Sequence, residues 1–390
     1  MGIATANLRL SRIAPNLVQS EIRAMSVECD AIGGVNLAQG VCDTEVPAVV
    51  VEGAIQAIRQ GRNIYTRLDG IAPLREAIAR KLQRDNGLTV DPASEVLVAS
   101  GATGALYAAL LALLDPGDEV ILFEPFYGYH LNTLEALRIK AVTVPLEVGG
   151  WELDLDLLRA AITPRTRAVM VNSPSNPSGK VFSRNELEAI AEIAAEHDLF
   201  LFTDEIYEYF LYDGKEHISP ATLPGMAERT ISVSGLSKTF SITGWRIGYL
   251  TASSRWLPSI AYFHDLTYVC APSPLQYGSA AGLLELPVTF YENLSIEYQA
   301  KRDMLCSALT DAGLPPFVPA GAYYVLADVS SLPGATAKEK ARTLLRESGV
   351  AAVAGTAFFH EGRGENLMRF CFAKRDNELQ RACDMLRSAL

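Results

Sequence analysis

The segment 232–248, SVSGLSKTFSITGWRIG, constrains this chain more than any other stretch of the sequence. Residues 230–234 alternate β-branched and small side chains, which is typical of a buried strand. Gly235 allows a tight turn of the backbone, so Lys238 follows closely after the end of that strand. Open α/β sheets bind their ligands at such strand ends. The sequence therefore predicts an α/β fold in which Lys238 lies at a ligand site.

The chemistry of Lys238 depends on its neighbours, because most lysines are solvated surface charges. A lysine attacks an aldehyde only when it loses its proton readily, and desolvation beside another cation lowers its pKa. Arg246 follows eight positions later and supplies such a cation. Together the two residues favour a ligand that carries both an aldehyde and a phosphate.

Length and charge limit the possible functions. A chain of 390 residues exceeds one usual hydrophobic core, which favours two domains. The sequence has 34 basic and 45 acidic residues, a formal net charge of −11, and no basic stripe. This balance argues against nucleic acid or an anionic membrane as a partner.

The cysteine, histidine and hydropathy patterns of the sequence indicate no further functional site. The six cysteines form no CxxC pair, and the five histidines show no metal-ligand spacing, so no metal is expected. The N-terminal residues do not resemble a signal peptide, and no apolar run reaches the roughly 18 residues that a membrane span needs. We expect a cytoplasmic protein with reduced thiols.

The lysine segment resembles that of the class I and II aminotransferases, which are pyridoxal 5′-phosphate (PLP) enzymes of fold type I. The nearest branch is that of the kynurenine, glutamine and methionine aminotransferases, and the resemblance covers nearly the whole chain. It implies that Lys238 holds PLP as a Schiff base, that Arg246 binds its phosphate and that Ser237 is a further cofactor-binding residue. The residues that match the family pattern are Gly235, Ser237, Lys238, Gly244, Arg246 and Gly248.

The resemblance also implies the architecture. We expect a large domain with a mostly parallel, seven-stranded sheet and a smaller α+β domain. The expected divisions are residues 1–47 for an N-terminal arm and part of the small domain, 48–285 for the large PLP-binding domain and 286–390 for the small C-terminal domain. We expect the arm to be loosely structured and the strand YLTAS to close the sheet.

Further cofactor ligands are expected at other strand ends. A strand, the loop SGATG and an apolar helix form an arrangement that directs backbone N–H groups at an anion, so Gly101, Ala102 and Thr103 are candidate phosphate ligands. The resemblance assigns Tyr127 to stacking on the pyridine ring. It assigns Asn176 to a hydrogen bond with the ring oxygen.

Asp204 ends a strand of apolar and β-branched residues. A carboxylate buried at such a position is costly unless a cation or several hydrogen bonds balance it. The resemblance supplies the protonated pyridine nitrogen as that cation. It also assigns Tyr207 to the same ring oxygen as Asn176.

Arg369 lies in the otherwise apolar segment MRFCFAK. A buried arginine cannot lose its proton and needs an anion, which is either a structural carboxylate or a ligand. The resemblance favours the substrate α-carboxylate, with Gly40 contributing a backbone contact and Asn176 also orienting the substrate. Cys42 stands where the family usually has proline.

Tyr65 is expected to act across a subunit interface. In the family, a tyrosine in the corresponding YxxxxG segment reaches the cofactor phosphate of the neighbouring subunit. This resemblance implies a homodimer. It also makes Tyr268 a candidate pocket residue near the partner's site.

The resulting function is transfer of the α-amino group of an amino acid to a 2-oxo acid. We expect a neutral donor, either aromatic or similar to methionine or glutamine. Tyr127, Tyr268 and Val269 suggest an apolar pocket, and no second arginine is identifiable for a distal carboxylate.

One alternative is another PLP reaction: β-elimination, decarboxylation or a cyclising synthesis. The other is a non-catalytic PLP-binding module, although such modules carry a DNA-binding domain for which this chain has neither length nor basic charge.

Overall fold

The computed structural model describes residues 8–16, 21–360 and 362–389. Of the arm expected at residues 1–47, residues 1–7 and 17–20 lie outside this description. The α-helices of the described part are α1 (Glu21–Ala31), α2 (Ala48–Arg59), α3 (Ala72–Lys81), α4 (Gly101–Leu113), α5 (Gly128–Ala136), α6 (Leu155–Ala160), α7 (Arg184–Glu196), α8 (Leu257–Tyr268), α9 (Ser273–Glu285), α10 (Val288–Asp311), α11 (Ala337–Ser348) and α12 (Asp376–Ala389). The strands are β1 (Val35–Asn36), β2 (Val96–Ser100), β3 (Glu119–Glu124), β4 (Lys140–Glu147), β5 (Glu152–Leu153), β6 (Thr166–Asn172), β7 (Phe200–Asp204), β8 (Thr230–Gly235), β9 (Ile247–Thr251), β10 (Pro316–Phe317), β11 (Tyr324–Asp328), β12 (Val350–Ala351), β13 (Val353–Ala354) and β14 (Leu367–Cys371).

The large sheet has the strand order β2-β9-β8-β7-β6-β3-β4-β5. Strands β8, β7, β6, β3 and β4 are parallel to one another, whereas β9 and β5 are antiparallel to their neighbours. The predicted mostly parallel sheet is confirmed, with the two-residue β5 as an eighth strand at its edge. The YLTAS strand is β9, the last strand along the chain to join this sheet. The chain reverses after Lys238 and returns as β9 between β8 and β2, so β2 forms the edge.

The central strands are apolar along their length because helices cover both faces of the sheet. Alternate residues point to opposite faces. Val120 and Leu122 of β3 pack in the cluster that contains α4 and α8, whereas Ile121 and Phe123 pack in the cluster that contains α7. Helix α7 begins with the capping box that the sequence predicts, formed by Ser183 and Glu186.

The C-terminal part contains a four-stranded antiparallel sheet of order β10-β11-β14-β13. The N-terminal segment joins its core, since Met25 and Cys29 of α1 are buried there and β1 pairs with β12. The prediction of a loosely structured arm is therefore wrong for α1 and β1. Met25 and Cys29 lie four positions apart, which places them on one face of the helix.

The domain divisions at residues 48 and 285 stay predictions. Among the described residues, every helix is too short or too polar to cross a lipid bilayer.

Candidate active site

One cavity of about 510 Å³ lies where the ends of β6, β7 and β8 meet the N-terminal segment and the C-terminal sheet. It brings together eleven of the thirteen residues predicted to form the site. Those eleven are Gly40, Ala102, Thr103, Tyr127, Asn176, Asp204, Tyr207, Ser237, Lys238, Arg246 and Arg369.

One end of the cavity is suited to an anion. Helix α4 begins at Gly101, directly after β2, so the predicted loop SGATG is instead the end of the strand and the first turn of the helix. No side chain caps this helix terminus, which leaves its first N–H groups directed at the cavity. Gly101 has a φ of 74°, and a Cβ atom there would collide with the guanidinium of Arg246. Gly101 therefore lets Arg246 lie directly over the helix terminus.

Arg246 adds a positive charge to this helix terminus. Its Nη1 donates a hydrogen bond to the carbonyl oxygen of Thr243 at 3.1 Å. It forms no ion pair with any carboxylate of the described chain, and its side chain lines the cavity. A guanidinium beside an uncapped helix N-terminus is a combination that suits a phosphate group.

Lys238 follows β8 and points into the same cavity. Its Nζ donates a hydrogen bond to the carbonyl oxygen of Gly40 at 3.2 Å. Burial lowers the pKa of Lys238, and the positive charge of Arg246 lowers it further, while the Cys42 thiol and Asp204 act in the opposite direction. Because desolvation is the largest cause, the amine releases its proton more readily than a solvated lysine.

Asp204 ends β7 with its carboxylate on the cavity wall. Its Oδ1 accepts a hydrogen bond from the N–H of Ile206 at 3.3 Å, and its Oδ2 lies 3.0 Å from Nε2 of His130. The sequence analysis missed His130, which is buried on α5. Its position three residues after Tyr127, one helical turn away, was the available signal. His130 orients the Asp204 carboxylate within the cavity.

Aromatic side chains form the walls beside Asp204. The Tyr127 ring packs edge-on against His130 with 5.2 Å between ring centroids. The hydroxyl oxygens of Tyr207 and Tyr324 are 3.1 Å apart, and burial raises the pKa of both phenols, so both keep their protons. Tyr324 was also missed by the sequence analysis. A Cβ atom at Gly40 would collide with the Tyr324 hydroxyl, which explains why glycine stands there.

Arg369 lies on β14 and is only 1% exposed. Its Nη1 donates a hydrogen bond to Oδ1 of Asn176 at 2.9 Å, and its Nη2 donates one to the carbonyl oxygen of Ala38 at 2.7 Å. The guanidinium also lies 4.3 Å from the ring centroid of Tyr324, and its Nε has no hydrogen-bond partner among the described residues. Neither acceptor is an anion. This setting differs from a structural salt bridge and suits a carboxylate ligand, because a buried charge without a counter-charge is costly.

Several predicted residues do not line the cavity. Tyr65 is 79% exposed and lies outside it, so its assigned contact across an interface stays a prediction. Tyr268 instead packs beside Gly104 of α4, and Val269 is likewise exposed and outside the cavity. Arg23 of α1 also lines the cavity, and the sequence analysis did not identify this second arginine.

Comparison with known proteins agrees with this geometry. The family model "Aminotransferase class I and II" matches residues 32–386, so the chain belongs to the class I and II aminotransferases, PLP-dependent enzymes of fold type I. The family resemblance stated from the sequence is thereby confirmed.

Individual relatives differ in their named substrates. The chain is 39% identical to a probable N-succinyldiaminopimelate aminotransferase of Mycobacterium tuberculosis, over 96% of this chain and 97% of that protein. It is 36% identical to a kynurenine–oxoglutarate transaminase of Dictyostelium discoideum, over 90% of each. A solved Escherichia coli structure, described as having a methionine aminotransferase function, has a TM-score of 0.93 and 32% identity, covering 98% of this chain and all of that one.

Proposed function

We propose that this enzyme moves the α-amino group of a neutral amino acid to a 2-oxo acid. The observation that carries the proposal is the buried guanidinium of Arg369, which faces the same cavity as Lys238 and has no anionic partner among the described residues. A guanidinium there binds the carboxylate that every α-amino acid and every 2-oxo acid carries. The two substrates of a transamination share that group and differ in the rest of the molecule.

The other cavity residues fit PLP. The terminus of α4 and Arg246 would hold its phosphate, Asp204 would face its ring nitrogen, and Tyr127 would lie on its ring. Ser237 is a further candidate for the phosphate, and Asn176 and Tyr207 are candidates for the ring oxygen. When bound, PLP supplies an aldehyde carbon and a ring that accepts electrons.

The chain's own groups would orient the substrate and move a proton. Arg369 and Asn176 would fix the α-carboxylate, and this contact sets the direction in which the Cα–H bond points. The amine of Lys238, with its lowered pKa, would then take the proton from Cα as a general base. The carbonyl oxygen of Gly40 holds that amine in place before substrate arrives.

The preference for a neutral donor is supported by the apolar part of the cavity wall. Its members include Ile22, Val27, Val41 and Tyr129. Burial of a substrate side chain there contributes about 25 cal/mol for each Å² of apolar surface removed from water. The wall favours long aliphatic, thioether or aromatic side chains.

We expect phenylalanine, methionine or glutamine to react at least about tenfold faster than aspartate, since one decade in kcat/KM needs only about 1.4 kcal/mol of differential binding. Release of 2-oxo acid from single amino acids added to the PLP-loaded enzyme measures this order. If aspartate reacts fastest, the neutral-donor assignment is wrong, although transamination itself is retained.

We further propose that the active unit is a homodimer. Ile64 and Tyr65 are 78% and 79% exposed, and Leu266, Tyr268 and Val269 at the end of α8 are also exposed. The two segments are neighbours, because Oγ of Ser273 donates a hydrogen bond to the carbonyl oxygen of Arg62 at 2.9 Å. Exposed apolar side chains gathered in one place are typical of a protein interface.

Mixing Tyr65→Ala chains with Lys238→Ala chains is expected to yield more activity than either variant has alone. If Tyr65 serves the partner's site, each mixed dimer contains one site with both native residues. Mixing after brief denaturation and refolding, followed by an activity assay, tests this, with each variant refolded alone as the control. An active enzyme that sediments as a monomer would contradict the proposal.

A further inference from the structure

One cationic side chain of the cavity lining has no assigned role. The lining contains four cationic side chains, Arg23, Lys238, Arg246 and Arg369, but Asp204 is its one carboxylate among the described residues. The proposed function assigns a role to every one of these groups except Arg23. Arg23 is therefore the cationic side chain of this lining that is assigned neither to PLP nor to the α-carboxylate.

Arg23 is held in place by the helix that carries it. Met25 and Cys29 of α1 are buried in the C-terminal core, which fixes the helix against that part of the molecule. Ile22, Arg23, Ser26 and Val27 of α1 line the cavity. Arg23 is the charged member of this set, and it is exposed, which places it at the rim.

The surroundings of Arg23 offer it no anion. It forms no ion pair with any carboxylate in the described part of the chain. Ser26 is already engaged, because its Oγ donates to the carbonyl oxygen of Ile22 at 2.9 Å and accepts from Nδ2 of Asn36 at 2.9 Å. Gln39, whose side chain is exposed, also lines the cavity and adds an amide. A guanidinium and an amide at one rim form a polar end for an otherwise apolar wall.

We propose that Arg23 binds the distal carboxylate of a dicarboxylic 2-oxo acid, the acceptor in the reaction. This inference rests on the proposed function, in which Arg369 holds the carboxylate next to the reacting carbon. A second carboxylate on the same molecule then needs its own cation, and the planar guanidinium of Arg23 matches its geometry. Because Arg23 is exposed, water solvates it when a neutral donor is bound, so one cavity accommodates both substrates.

The test compares two acceptors of similar length, 2-oxoglutarate and 2-oxohexanoate, which differ in the distal carboxylate. Each is reacted with enzyme whose cofactor carries the amino group, and kcat/KM is measured for the native chain, Arg23→Gln and Arg23→Lys. We expect Arg23→Gln to lower kcat/KM for 2-oxoglutarate about tenfold, mainly through KM, and to change that for 2-oxohexanoate less than about twofold. For Arg23→Lys, kcat/KM with 2-oxoglutarate should lie between the values of the native chain and Arg23→Gln. The native preference for 2-oxoglutarate over 2-oxohexanoate should weaken as salt is added.

Arg80→Gln is the matched control, since Arg80 is an exposed arginine on α3 that does not line the cavity. It removes the same charge and should leave the preference between acceptors unchanged. An equal loss for both acceptors in Arg23→Gln, or no loss for either, would overturn the assignment of Arg23.

Binding of an unreactive dicarboxylate separates this inference from the proposed function. Glutarate should bind the PLP-loaded native enzyme more tightly than pentanoate, and Arg23→Gln should remove most of that difference. If the native enzyme binds glutarate in this way but aminates neither 2-oxo acid, the proposed function is wrong and the role of Arg23 as a carboxylate ligand stands. If glutarate and pentanoate bind equally well, Arg23 is not such a ligand.

Discussion

Replacing Lys238 with alanine is expected to reduce kcat by about four orders of magnitude or more. The change removes both the group proposed to link to PLP and the proposed general base, and a general base alone contributes about 10²- to 10⁴-fold. The remaining cavity residues should still hold PLP, although without a covalent bond. Lys215→Ala is the control, because Lys215 is an exposed lysine that does not line the cavity.

Borohydride reduction followed by peptide mapping identifies the lysine directly. The native enzyme should retain PLP on the peptide that contains Lys238, and Lys238→Ala should retain none after denaturation. Because the pKa of Lys238 is lowered, we expect this amine to react rather than a solvated one. Attachment of the cofactor at another lysine would refute the assignment.

Arg369→Ala is expected to lower kcat/KM about 100-fold for amino donors of every kind. A hydrogen bond to a charged group contributes about 1.5–3 kcal/mol, and the guanidinium offers a carboxylate two of them in a buried setting. The loss should be similar for neutral and acidic donors, because all of them carry an α-carboxylate. Steady-state kinetics with two donors, alongside the visible absorbance of bound PLP, measure the effect.

Arg369→Lys separates charge from geometry, since lysine keeps the positive charge but lacks the planar pair of donors. It should recover only part of the lost activity. Both variants leave Oδ1 of Asn176 and the carbonyl oxygen of Ala38 without their guanidinium partner, so thermal unfolding is measured in parallel. Unchanged kinetics with lowered stability would make Arg369 a structural residue.

The sequence predicts those site residues whose position follows from local pattern. Lys238 follows a buried strand and Asp204 ends one, and a strand end lies at the edge of the sheet whatever the rest of the chain does. The position of Arg369 is also predictable from one segment alone, because it is a charged residue in an otherwise apolar strand. Family resemblance added roles for Tyr127 and Asn176, which a local pattern alone does not distinguish from core or turn residues.

The residues that the sequence analysis missed meet the site through long-range contacts. His130 is 74 positions from Asp204, and Tyr324 is 117 positions from Tyr207. Apart from the spacing of His130 from Tyr127, no local pattern links these residues to the site before the sheet and the C-terminal strands are assembled. Arg23 was missed because its segment read as a loose arm, whereas burial of Met25 fixes that segment as a helix beside the cavity.

In the proposed transamination, the amino group of the donor stays on the cofactor and is not released as ammonia. The direct measurement is a single turnover of PLP-loaded enzyme with excess methionine and no 2-oxo acid, in which released 2-oxo acid and ammonia are both quantified. We expect one equivalent of 2-oxo acid per active site, no ammonia, and renewed turnover once 2-oxoglutarate is added. Continuous release of ammonia together with a keto acid, with no need for an acceptor, would contradict transamination and establish elimination.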